Sequence, residues 1–77
     1  MNQKRRAIIR KIIDALEQQK NDIEEMRDEE SEARDNLPEN LQGTEKYEAI
    51  ELAVDQLSEA IDNLDDVINT LTEALGE

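Results

Sequence analysis

Apolar residues recur at alternating intervals of three and four along the second part of the chain, without interruption from Tyr47 to Leu75. One set of these positions comprises Tyr47, Val54, Ile61, Ile68 and Leu75, and the other comprises Ile50, Leu57, Leu64 and Leu71. This is the spacing of a coiled-coil seam, with the two sets at the a and d positions of a heptad. The pattern predicts an α-helix over residues 45–75, with Thr44 as its N-cap and Gly76 as its stop.

The first part of the chain carries the same pattern in a weaker form and predicts a helix over about residues 3–36. Its expected seam positions are Ile9, Ile12, Leu16, Gln19, Ile23, Met26, Glu30, Ala33 and Leu37. Gln19 and Glu30 interrupt the apolar seam. One interpretation is that both positions are partly hydrated, with Glu30 paired to Arg27 or Arg34. The other is that they fix the register or the choice of partner.

Residues 37–44 break the helical pattern and predict a short loop. Pro38 cannot continue a helix, and Gly43 accepts the positive φ that other residues resist. A connection of this length places the two helices side by side and antiparallel. We therefore predict an all-α protein, an antiparallel two-helix hairpin of coiled-coil type that residues 1–77 form as a single domain.

A second apolar stripe predicts self-association. It consists of Ala53, Ala60, Val67 and Ala74 on the second helix, with Ile8 and Ile13 beside the seam of the first. A seam between two helices would leave these residues half exposed, and a chain of 77 residues buries too little surface to be more than marginally stable alone. We predict that two copies form a homodimer, a four-helix bundle, and both relative orientations of the copies remain open.

The composition argues against most catalytic chemistry. The chain contains no Cys and no His, so thiol chemistry, imidazole catalysis and the usual zinc ligands are excluded. No loop has the pattern of an EF-hand, and we expect no metal and no other cofactor. No segment reaches the roughly 18 apolar residues of a membrane span. We expect a cytoplasmic protein that is not an enzyme and has no contact with a membrane.

Charge is the second strong feature of the sequence. The net charge is −12, and residues 45–77 carry ten acids against one base, Lys46. Six acids are spaced so that they share one outer face of the second helix: Glu48, Asp55, Glu59, Asp62, Asp66 and Glu73. The only role of such a face can be to keep an assembly with apolar surfaces soluble. The face can also bind a basic partner, or imitate the spacing of nucleic-acid phosphates.

The basic residues gather at the start of the first helix, as Lys4, Arg5, Arg6, Arg10 and Lys11. In an antiparallel hairpin this segment would lie beside Glu73, Glu77 and the negative end of the second helix, which would compensate its charge. The alternative is contact with a small anion or with nucleic acid. Direct binding of DNA or RNA is not expected, because the rest of the chain is negative and no nearby aromatic residue could stack on a base.

The segment Asn36–Tyr47, between two acidic heptad helices, resembles small helical-hairpin proteins of bacteriophages and mobile elements. The resemblance implies no activity and no residue roles, but assembly factors and inhibitors of host enzymes are common among small phage proteins. Two functions are therefore expected. One is an interaction or assembly protein that self-associates and offers an acidic face to a basic partner. The alternative is an inhibitor that mimics nucleic acid and blocks a host enzyme.

Overall fold

The protein consists of two long helices joined by a tight loop, as seen in a computed structural model that describes residues 1–76. The first helix, α1, spans Gln3–Asp35, and the second, α2, spans Glu45–Leu75. A short 3-10 helix, Glu39–Leu41, lies between them. The two helices pack against each other in a rod that measures 59 × 15 × 15 Å. The prediction of an all-α helical hairpin is confirmed.

The ends of the helices follow from local hydrogen bonds. The side chain of Asn2 accepts a hydrogen bond from the Arg5 amide at 2.8 Å and caps α1. Thr44 caps α2, as predicted, by accepting from the Tyr47 amide at 3.5 Å. Gly76 ends α2 in the left-handed conformation, with φ of 70°. These caps satisfy backbone groups that a helix leaves without internal partners.

The core lies along the predicted seam of α2. Within residues 1–76 the buried side chains are Ile61, Ile68 and Leu75, which are 6%, 8% and 5% exposed and lie one heptad apart. Nearer the loop, Tyr47 and Val54 occupy equivalent positions but are only half-buried. The helices are therefore packed most tightly away from the loop.

The register of α1 differs from the prediction at every second seam position. The half-buried residues on and just after α1 that continue a three and four spacing are Arg6, Ile9, Ile13, Leu16, Lys20, Ile23, Arg27, Glu30, Arg34 and Leu37. The expected seam residues Ile12 and Met26 are instead 44% and 49% exposed. Ile13, expected to be available to a second copy, is half-buried in the row that faces α2.

Long cationic side chains explain this rotation of α1. Lys and Arg can lay their methylene stems over apolar surface while the charged group reaches water or an acid. Lys20, Arg27 and Arg34 occupy such positions opposite the strongly acidic α2. The Nε atoms of Arg27 and Arg34 donate to Asp28 and Asp35, both at 3.2 Å, rather than to the expected Glu30.

Candidate interaction surfaces

An ion pair marks one side of the hairpin. The Lys20 ammonium donates to an Asp65 carboxylate oxygen at 2.7 Å and lies 3.9 Å from Glu24. The hydrogen bond to Asp65 is the main reason that the pKa of Lys20 is raised, and the partial burial of the ammonium opposes the shift. This pair fixes which turn of α1 lies level with which turn of α2. Because the helices are antiparallel, four residues back from Lys20 and four residues on from Asp65 lie at the same level. Leu16 is therefore level with Ile68 to within one residue.

A groove of about 610 Å³ opens on the other side of the hairpin. Its lining residues are Met26, Glu29, Glu30, Ala53, Gln56 and Leu57. Met26 follows Lys20 by six residues, which places it about 120° away around α1. Ala53 and Met26 therefore lie on the same side of the rod, away from the ion pair.

The groove belongs to an exposed apolar strip that we call the apolar face. At about 100° of rotation per residue, four apolar residues of α1 lie within about 60° of one another around the helix on this side, and four of α2 lie one heptad apart. These eight are Ile8, Ile12, Ala15 and Met26 of α1, and Ala53, Ala60, Val67 and Ala74 of α2. Ile8 is 50% exposed and Val67 is 47% exposed. Of the six residues expected to mediate self-association, five lie on this face. The sixth, Ile13, lies one heptad from Lys20 on the ion-pair side, so we leave it out of the surface.

Sequence reasoning missed part of this face, although a signal was present. The sequence pattern predicts that Ile12 and Met26 lie in the seam inside the hairpin and that Ala15 lies beside it. On α2 the whole side is free of charge in a sequence where 39% of residues are charged. Its members are Ala49, Ala53, Gln56, Ala60, Asn63, Val67, Thr70 and Ala74. The sequence signal for this face is therefore the absence of charge along more than three heptads of an acidic helix.

The acids of α2 occupy the remaining outer surface. All six residues of the expected acidic face are exposed: Glu48, Asp55, Glu59, Asp62, Asp66 and Glu73. Leu52, which is 57% exposed, lies one heptad before Glu59 and outside the predicted seam. The helix thus presents a carboxylate surface on its back and an uncharged surface beside the seam.

Folding also separates charge along the rod. We call residues 21–64 the loop half and residues 1–20 with 65–76 the open half, with the Lys20–Asp65 pair as the boundary. The loop half carries fifteen acids and three bases, a net −12, whereas the open half carries five acids and six bases, a net +1. Glu73 lies in the same half of the rod as the basic start of α1, and Glu77 lies outside the described residues. The rod therefore has one strongly negative half and one nearly neutral half.

Within residues 1–76, no group of three acidic side chains is placed to hold a metal ion. The described helices include no segment long and apolar enough to cross a membrane. The groove brings the carboxylates of Glu29 and Glu30 to an apolar wall and is wide open rather than enclosed.

Comparison with models of known protein families, with curated proteins and with solved structures finds no match to this chain.

Proposed function

We propose that this chain is a non-enzymatic interaction or assembly protein. In this proposal it self-associates through the apolar face, as two hairpins in a four-helix bundle, and offers its acidic surface to a basic protein. The observation that carries the proposal is the division of the hairpin surface. Large apolar side chains are exposed on one side, including Ile8, Met26 and Val67, and carboxylates cover the back of α2.

The area of the hairpin supports self-association. A compact monomer of 8.9 kDa has an accessible surface of about 4,800 Å² by the usual scaling with mass, whereas this chain exposes 5709 Å². The difference of about 900 Å² is close to the roughly 800 Å² that each partner buries in a stable interface. A second hairpin on the apolar face would remove an excess of this size.

Val67→Glu is expected to raise the dimer dissociation constant at least about tenfold, which corresponds to 1.4 kcal/mol. Two symmetry-related carboxylates would lie against apolar surface without partners, which is costly. Val67 is half exposed in the hairpin, so the single chain should still fold. Sedimentation equilibrium over a wide concentration range measures the change, and circular dichroism checks that helix content is kept.

Asn69→Glu is the matched control for this variant. It adds the same charge two residues further along α2, at an exposed position on the acidic side. Association of Asn69→Glu should remain close to that of the unchanged chain. Equal weakening by the two variants would mean that added charge alone opposes association and that the apolar face is not the interface.

Mimicry of nucleic acid is the second candidate function, and the six exposed carboxylates along one 31-residue helix favour it. A mimic would displace double-stranded DNA from a basic DNA-binding protein, with an affinity that falls steeply as salt rises. Replacing Asp55, Asp62 and Asp66 by Asn should then reduce displacement, and replacing Glu24 and Glu25 by Gln should reduce it less. If the chain displaces DNA from no such protein at low salt, mimicry of nucleic acid is ruled out and the interaction or assembly function stands.

A further inference from the structure

We infer that the second copy packs on the apolar face with its loop at the opposite end of the rod. This inference rests on the self-association proposed above and adds the orientation of the two hairpins. A four-helix bundle of two hairpins allows two arrangements. If the loops share an end, α1 lies against α2 of the other copy; if they lie at opposite ends, α1 lies against α1 and α2 against α2.

The separation of charge along the rod favours opposite ends. With the loops together, two loop halves of net −12 would lie side by side. With the loops apart, each loop half lies beside an open half of net +1, which contains the basic start of α1. Like-charge juxtaposition opposes association and complementary charge fixes the register of an interface, so this difference acts directly on the choice of orientation.

The outward row of α1 is complementary to itself in this orientation. Along the rim of the apolar face, at intervals of seven, it reads Lys4, Lys11, Gln18, Glu25 and Glu32, all exposed. An antiparallel second copy of this row brings Lys4 beside Glu32 and Lys11 beside Glu25, with Gln18 beside its own copy. Self-complementarity about a central residue is what a two-fold interface between identical chains requires.

A second row of α1, which contains Met26 and lies two rows away around the helix, has the same symmetry at its centre. It contains Ile12, Gln19 and Met26, one heptad apart. About a two-fold axis at Gln19, the exposed Ile12 contacts the exposed Met26 of the other copy. The side-chain amides of the two Gln19 residues lie on the axis and can form hydrogen bonds with each other. Apolar and charged rows therefore place the axis at the same turn of α1, residues 18–19, close to the middle of the rod.

Single cysteines test the orientation, because the natural chain has none. In Gln19→Cys the two thiols lie across the axis and should form a disulfide-linked dimer on mild oxidation. With the loops together, the α1 helices would be diagonal neighbours, too far apart for a bond that needs Cα atoms within about 7 Å. Asn21→Cys, exposed on another side of α1, is the control and should remain unlinked.

A spin label at Ala49→Cys gives the second measurement. Ala49 is exposed near the loop, so the two labels should be separated by about 40–50 Å in opposite-ends dimers, given 1.5 Å of rise per residue. With the loops together they would be about 11–14 Å apart, the diagonal of a bundle whose neighbouring axes are 8–10 Å apart.

Sedimentation equilibrium of the same variants separates the outcomes. A dimer with linked Gln19→Cys and distant Ala49 labels supports the inference. A dimer with a short distance between Ala49 labels overturns the orientation but leaves self-association standing. A monomer at all concentrations overturns both this inference and the proposed homodimer.

Discussion

Ile68→Ala is expected to lower the free energy of unfolding by about 2–5 kcal/mol, the usual cost of removing a buried branched side chain. Ile68 is 8% exposed, between Ile61 and Leu75 in the tightest part of the seam. Because a domain of this size has little stability to spare, the variant should be largely unfolded near room temperature. Urea titration followed by circular dichroism at a fixed protein concentration measures the loss.

Leu52→Ala is the control for this experiment. It also shortens an apolar side chain on α2, but Leu52 is 57% exposed on the back of the helix. Its effect should stay within about 0.5 kcal/mol, as for most surface positions. Comparable losses in the two variants would contradict the position of the core. They would instead indicate that the back of α2 is covered in solution.

The contrast between Ile68 and Leu52 also explains why the fold of α2 could be predicted from the sequence. A three and four spacing without a gap allows one side of the helix to face the partner, and Leu52 lies outside that spacing. The expected bounds of α2, residues 45–75, match Glu45–Leu75 because Thr44 and Gly76 supply recognisable caps. Asn2 caps α1 in the same way, but it lies before the first apolar residue of the heptad pattern and is not predicted by that pattern.

The register of α1 could not be predicted by counting apolar residues. Ile12 and Ile13 both continue a three and four spacing from Ile9, so the pattern allows two rotations of the helix. The rotation that places Ile12 and Met26 in the seam buries more apolar residues, so the apolar pattern predicts that rotation. The structure adopts the other, in which Lys20 reaches Asp65 and Arg27 and Arg34 are half-buried. The deciding interaction is between helices, and information about it is absent from either helix alone.

The same rotation determines the candidate site. By turning Ile12 and Met26 outward, it joins them to Ala53 and Val67 on one continuous face. The stripe on α2 was visible in the sequence, but its counterpart on α1 was visible only after the register was known. The difference in net charge between the loop half and the open half likewise becomes visible only once the hairpin is formed. Along the sequence, the net charge differs between the first and the second helix instead.

Glu30→Leu is expected to stabilise the hairpin by about 1 kcal/mol, about half of what full burial of a leucine contributes. Glu30 is half-buried on the row that faces α2, and it lines the groove with Ala53 and Leu57. A carboxylate at this position loses hydration, whereas a leucine would extend the apolar seam into the loop half. The change also removes one negative charge from the half that carries net −12.

Glu30→Gln separates the two contributions, since it removes the charge without adding an apolar side chain. We expect the urea midpoint to rise more for Glu30→Leu than for Glu30→Gln. In Glu30→Leu, amide exchange should slow more in residues 24–35 than elsewhere in the chain. Equal midpoints would mean that relief of repulsion accounts for the whole gain. The larger rise for Leu would show that the charged side chains of α1 near the loop weaken the seam, so that this end opens first.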